Sequence, residues 1–324
     1  MEIFLSGSSA ALLSRELATA MRGRAWEVVI HPFSFEEYLR HHGHPVPEPG
    51  SLLAARQRSA LERAFLDYLD KGGFPEVQDV DATTRHRLLK DYVDVAMLRD
   101  VVERHNVTNV AGLRWLVRHL LGNAAGLFSV EKFYAALKSQ GFSISKDTVH
   151  QLLGHLEDCF LVRTVWMESE SERRRMVNPR KAYPVDPGLI PVFDRSGRAN
   201  VGHALETVVL IELERRRANV SYVRTSAGRE VDFLVRTAEG EVELLQVCAD
   251  LTGATVAERE FRALEEAGQL FPDAGKRLLT LTRDALPPEV PSGVVVQPVY
   301  EWLLASRPEA TGTKTEKETE ARPE

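Results

Sequence analysis

Only two cysteines, Cys159 and Cys248, occur in 324 residues. Neither a disulfide framework nor a cysteine zinc site can be built from them. No apolar run approaches the ~18–20 residues that a membrane-spanning helix needs. The N-terminus also lacks the basic start, long apolar stretch and small-residue cleavage site of a signal peptide. These absences point to a cytoplasmic protein with no membrane partner. Lysine is scarce, with nine Lys against 32 Arg, and 47 acidic residues outnumber the 41 basic ones to leave a net charge of −6. That balance argues against indiscriminate coating of nucleic acid but leaves room for a local basic face. What is present is ordinary globular material, 44% apolar and 27% charged, and the length suits two or three domains.

The chain opens with an apolar strand, Ile3-Phe4-Leu5, a small-residue turn Ser6-Gly7-Ser8-Ser9, and a helix from Ala10 to Met21. Trp26 to Ile30 reads as a second strand, ended by Pro32, which makes an α/β pattern too small to bury both faces of a sheet. Residues 1 to about 45 are therefore expected to be poorly covered. Helical periodicity follows over Leu52–Leu69, stopped by Lys71-Gly72-Gly73-Phe74-Pro75, and again over Thr84–Arg104 and Ala111–Leu121. From Ser129 the pattern becomes two capped helices, a strand at Phe160–Trp166, a charged turn and a strand at Ala182–Val185, the layout of a winged helix-turn-helix. A last α/β unit begins near Asp186-Pro187-Gly188. It holds a helix at His203–Arg217, strands at Val220–Arg224, Glu230–Arg236 and Glu241–Cys248, a helix at Val256–Ala267, strands at Arg277–Thr282 and Val294–Pro298, and a short helix at Tyr300–Ala305. Residues 306–324 are apolar-poor and read as a disordered tail.

Seven segments in order carry a resemblance. They are Ile3-Phe4-Leu5-Ser6-Gly7-Ser8-Ser9, Met21-Arg22-Gly23-Arg24, Pro32-Phe33-Ser34-Phe35-Glu36-Glu37-Tyr38-Leu39, Gly72-Gly73-Phe74-Pro75-Glu76, Asp186-Pro187-Gly188-Leu189, Glu230-Val231-Asp232-Phe233 and Leu245-Gln246-Val247-Cys248. Together the chain resembles the single-chain AAA-type ATPases of bacteria and archaea that carry a C-terminal domain of unknown function. The resemblance implies a multidomain α/β protein: the C-terminal part of an ATPase core (1–45), a helical lid (46–105), a winged helix-turn-helix (106–185) and a restriction-endonuclease-like domain (186–305). It implies ATP and Mg²⁺ as cofactors, with Ser8 or Ser9 as sensor-like residues and Arg22 or Arg24 near phosphate. No G-x-x-x-x-G-K-[S/T] loop occurs in the chain, however. The backbone cradle for phosphates and the hydroxyl that holds the metal are thus missing, as in a chain truncated ahead of these motifs. Neither cofactor is expected to bind tightly, and hydrolysis by this polypeptide alone is not expected.

By the same resemblance, a PD-(D/E)XK-type metal site would take an acid from the first helix of the last unit, an Asp from one strand, and an acid and a Lys two residues apart on the next. Glu206 and Asp232 fill the first two positions and are the candidate metal ligands. Gln246 and Cys248 stand where acid and Lys are needed, and a thiol cannot do the work of an ammonium. A degenerate nuclease fold used for binding is the main expectation, with an active metal-dependent nuclease as the alternative. For nucleic acid, the proposed wing offers Arg173, Arg174, Arg175, Arg180 and Lys181 against Glu168, Glu170 and Glu172. A solvated hairpin in a protein-packing winged helix is the competing reading, so DNA and a protein remain the two candidate partners. His41, His42 and His44 lie in a Pro-rich loop with no clear acid or Cys partner, and a solvated loop is expected there.

Overall fold

The computed structural model describes Gly7 and residues 28–48, 50–194 and 200–305. Ser8, Ser9, Arg22 and Arg24, the expected opening strand and helix, and the tail lie outside the described residues. Of the strand expected at Trp26–Ile30, residues 28–30 have no regular structure, and Val28 and Ile30 are exposed.

The first described helix, α1 (Phe35–His41), is set by a reciprocal cap: Ser34 Oγ accepts from the Glu37 amide while Glu37 accepts from the Ser34 amide. Phe35, Tyr38 and Leu39 fall on one face and are buried, so the expectation of poor cover as far as residue 45 fails at this helix. His41 and His42 end the helix rather than sit in a free loop, and Asp79 from a distant turn reaches His41. Next come α2 (Ala55–Lys71) and α3 (Ala82–Val95), the latter continuing as a π-helical turn to Glu103, then α4 (Val110–Gly122). A short strand, β1 (Gly126–Phe128), precedes α5 (Val130–Ser139) and α6 (Lys146–Asp158), whose Ser129 and Ser145 caps are as the sequence indicates. The strands β2 (Val162–Met167) and β3 (Arg180–Pro184) are joined through a short helix, α7 (Glu172–Val177), not an open turn. Then follow α8 (Ile190–Phe193), α9 (Val201–Arg215), β4 (Asn219–Arg224), β5 (Glu230–Arg236), β6 (Val242–Val247), α10 (Ala254–Leu270), β7 (Gly275–Thr280), β8 (Val294–Pro298) and α11 (Val299–Leu304).

Among the described residues, the eight strands belong to one mixed sheet in the order β1-β3-β2-β4-β5-β6-β7-β8. Its halves are joined where β2 runs parallel to β4, Trp166 opposite Ser221 and Met167 opposite Tyr222. The sheet is therefore continuous across the expected boundary at residue 185. Adjacent residues alternate between faces as a pleated strand demands. Phe233, Leu245 and Leu279 enter a core shared with α9, α11, α1 and α2, while Leu234, Leu244 and Leu278 enter a second core under α10. A third core joins α3 to α6 with Phe128, Val162 and Ala182. The expected lid at 46–105 is thus divided: α2 packs with the C-terminal unit, and α3 with the helix–helix–hairpin unit.

Candidate functional site

Helix α9 is apolar on nearly every side, and every residue from Ala204 to Leu213 is buried. A carboxylate in such a helix must be paired or protonated. Glu206 meets Lys181 of β3, whose Nζ lies 2.5 Å from Glu206 Oε1, 2.8 Å from Asp232 Oδ1 and 3.0 Å from Glu230 Oε1. An ammonium has three donors, and three carboxylates face them. Tyr183, two residues along β3 and so on the same face, donates its hydroxyl to Glu206 Oε1 at 2.6 Å. The other oxygen of Asp232 accepts from the Val247 amide at 2.9 Å. Strands β3 and β5 are not neighbours in the sheet, so these contacts require it to curl around α9.

Burial opposes the charge on Lys181, but Asp232, Tyr183, Glu206 and Glu230 outweigh it and hold the ammonium well above its ordinary pKa. Burial and the nearby Asp232 carboxylate push Glu206 up to about 7, against the pull of Lys181. Tyr183 is raised, first by burial and then by Glu206. The cluster carries one firm cation and a carboxyl that is neutral or charged near neutrality.

Gln246 lies beside this cluster with both ends occupied. Its Oε1 accepts from the Asp232 amide at 3.0 Å, and its Nε2 donates to Glu260 Oε2 at 2.8 Å. Glu260 comes from α10, is buried, and is gripped on its other oxygen by Arg259. Cys248 is past the end of β6, half-buried, with its thiol directed to Asp250 O. Burial, more than Glu260, raises that thiol's pKa. The structure therefore gathers Glu206, Asp232 and Gln246 but leaves Cys248 at the margin. It adds Lys181, expected instead on the wing, together with Tyr183, Glu230 and Glu260, which are not among the expected site residues. Two signals for these were legible: Lys181 and Tyr183, like Glu230 and Asp232, are spaced by two, and Glu260 falls on the buried stripe Ala257, Ala263, Leu264, Ala267. A Mg²⁺ ion does not fit among the acids as they stand, because the Lys181 ammonium already occupies the space between Glu206 and Asp232.

The placement of Lys181 corrects its assignment to a nucleic-acid-binding wing: its residue surface is only 3% exposed. Arg180, the next residue and so on the opposite face, stacks on Trp166 at 3.5 Å and lies 3.7 Å from Glu157. Arg173 and Arg174 are exposed on α7, whereas Arg175 is half-buried, 3.8 Å from Glu172 and near the Trp166 ring.

A second buried carboxylate explains three of the sequence segments. Asp186 Oδ2 accepts from the Gly73 amide at 2.6 Å and Oδ1 from the Gly188 amide at 2.8 Å. Phe33 and Gly73 are joined by a backbone bond of 2.7 Å, and Tyr68 donates to Phe33 O at 2.8 Å. A Cβ on Gly72, whose φ is +78°, would overlap Asp186 Oδ1, and one on Gly73 would overlap Phe33 O. Burial raises Asp186 to about 6 even though the two amides and Arg215 pull the other way. Pro32-Phe33, Gly72-Gly73 and Asp186-Pro187-Gly188 thus form one knot of backbone.

Comparison with known sequences divides the chain into three matches. Residues 1–39 match an AAA domain, residues 62–197 a domain of unknown function (DUF8612), and residues 201–302 a second domain of unknown function (DUF4143). An uncharacterized protein of Methanocaldococcus jannaschii is 33% identical over 270 residues, covering 82% of this chain and 59% of that protein. An uncharacterized protein of Haemophilus influenzae is 28% identical over 305 residues, covering 94% of this chain and 71% of that protein. The chain thus spans under two thirds of the archaeal relative's length. No solved structure matches the chain. Among the described residues no helix is long and apolar enough to cross a membrane. The chain is similar at its start to AAA domains and over its last third to DUF4143 domains.

Proposed function

We propose that this chain serves as the partner-binding part of an AAA-type ATP-binding protein and has no nucleotide or nucleic-acid hydrolysis of its own. The helix–helix–hairpin unit of α5, α6, β2 and β3 is read as a winged helix that docks on DNA or on a protein. The unit from α9 to α11 is read as a restriction-endonuclease-like fold whose acids have become a structural ion cluster. The observation that carries this reading is the Lys181 ammonium seated among Glu206, Asp232 and Glu230. It donates to Glu206 and Asp232, the acids that a catalytic metal would need, and pairs with Glu230 as well. The order of the matched segments, AAA domain first and DUF4143 domain last, supports the ATPase context.

A metal-dependent nuclease is the second reading, favoured by a specific feature. Lys181 returns an ammonium to the acids, and Glu260 brings a further carboxylate to Gln246. One experiment separates the two. Incubation of the full chain with single- and double-stranded DNA and Mg²⁺ or Mn²⁺ is expected to leave both substrates intact. Cleavage that disappears in Asp232→Ala would replace the first reading with the second. Binding of the same DNA at low salt, weakened by replacing Arg173 and Arg174 with Ala, would assign DNA as partner. Undetectable binding would favour a protein partner.

A further inference from the structure

Among the described residues, one group of metal-competent side chains stands together outside the ion cluster. His41, the last residue of α1, and His42, its cap, face Asp79 in the turn after the short 3₁₀ helix Pro75–Val77. One ligand atom from each of the three lies within 4.8 Å of the others. His41 Nε2 is 3.2 Å from Asp79 Oδ2, close to the ~3.3 Å that separates two ligands at ~2.0–2.1 Å on a tetrahedral ion.

Each ligand is carried by a braced element. The His41 ring rests against Phe33 at 5.3 Å and the His42 ring against Tyr38 at 4.4 Å. The turn bearing Asp79 is anchored one residue earlier by Gln78, which is buried and donates Nε2 to Gly72 O at 3.0 Å and Phe74 O at 2.8 Å. The His42 imidazole has only a long contact, 3.4 Å to Gln78 Oε1, to give up on turning to an ion. His41 and Asp79 are solvent-facing, which gives an ion a way in and leaves water for the remaining position.

We infer that His41, His42 and Asp79 form a site for a divalent transition-metal ion of the Zn²⁺ type, which fastens the end of α1 to the turn at Asp79. Two imidazoles and one carboxylate suit Zn²⁺, Co²⁺ or Ni²⁺, whereas Mg²⁺ and Ca²⁺ prefer all-oxygen shells. The ligands come from residues 38 apart in sequence, so the bound ion acts as a staple between two segments that the fold already holds together.

The test is titration of the untagged full chain with Zn²⁺, followed by calorimetry and by the thermal midpoint, with Co²⁺ absorption as a report on the ligands. The expected result is one ion per chain and a rise in the midpoint. Either His41→Ala or Asp79→Asn should weaken that uptake by more than about tenfold, the smallest loss that even an outer partner of a metal site causes. The Asp79 side chain is exposed, so metal-free Asp79→Asn should melt with the parent. His105→Ala controls for the stacked pair His105 and His155, whose rings are 3.7 Å apart, and should bind like the parent. Absence of saturable uptake, or equal uptake by the parent and both site variants, would overturn the assignment.

Discussion

Asp186 is held by two backbone amides, whereas Glu206 and Asp232 are held by an ammonium. Both centres are buried, and both tie remote segments of chain together. The amides at Asp186 are neutral and rigid, so burial still raises its pKa to about 6. At the other centre a full positive charge answers three carboxylates, and the strain appears as a raised Glu206 instead. The difference lies in what substitution does: a backbone cradle is sensitive to added volume, and an ion cluster is sensitive to lost charge.

Removing that charge is expected to give the largest effect. Lys181→Ala leaves buried carboxylates facing one another, and breaking a buried pair from one side costs about 3–5 kcal/mol. Denaturant unfolding of the full chain checks this; a loss under 1 kcal/mol would mean that the cluster is open to water. Added volume comes next. Gly72→Ala combines a left-handed backbone with a Cβ driven onto Asp186, and about 3 kcal/mol or more is expected from overpacking and strain. An unchanged thermal midpoint in this variant would show that the knot yields.

A smaller effect separates the centres by pH. Glu206 and Asp186 have folded pKa values above those of the unfolded chain, so the folded state binds more protons and stability falls as pH rises. The fall should begin near the unfolded carboxyl values, run through about 6 for Asp186 and end near 7 for Glu206. Each raised unit corresponds to about 1.36 kcal/mol. Glu206→Gln should remove the upper part of that slope and leave the lower part, as measured by unfolding at pH 5, 6, 7 and 8. The smallest effect belongs to neither centre. Replacing the exposed Arg173 and Arg174 with Ala should move stability by less than about 0.5 kcal/mol. Any larger change would mean that α7 contributes to packing.

The two centres also differ in how far the sequence betrays them. The Asp186 knot appears as three legible strings, Pro32-Phe33, Gly72-Gly73 and Asp186-Pro187-Gly188, but nothing in their spacing says that they meet. Glu206 could be picked out because a carboxylate among Val209, Leu210 and Leu213 on a helix has to be answered. Lys181 reads as surface charge because Arg180-Lys181 looks like a doubled basic patch. On a strand, adjacent residues face opposite sides, so one stacks outward on Trp166 while the other turns into the core. Most elements from α2 onward follow directly from periodicity and caps. The three-residue β1, the helix α7 inside the hairpin connection and the parallel joint of β2 with β4 do not, because they depend on tertiary contacts instead of local pattern. Asp79 is not paired with His41 by sequence alone, since the two are 38 positions apart.

Lys181 belongs to the segment resembling one family, whereas Glu206, Glu230 and Asp232 belong to the segment resembling another. The place where the two similarities change hands, between residues 197 and 201, is therefore a poor place to cut the chain. A C-terminal piece made alone would keep its buried acids and lose the cation that neutralises them. The helix–helix–hairpin piece would in turn carry a lysine with nothing to meet it. In evolutionary terms the two segments constrain one another: recombination at this junction must bring in a hairpin with a lysine at the same inward position, or a helix and strand without the acids.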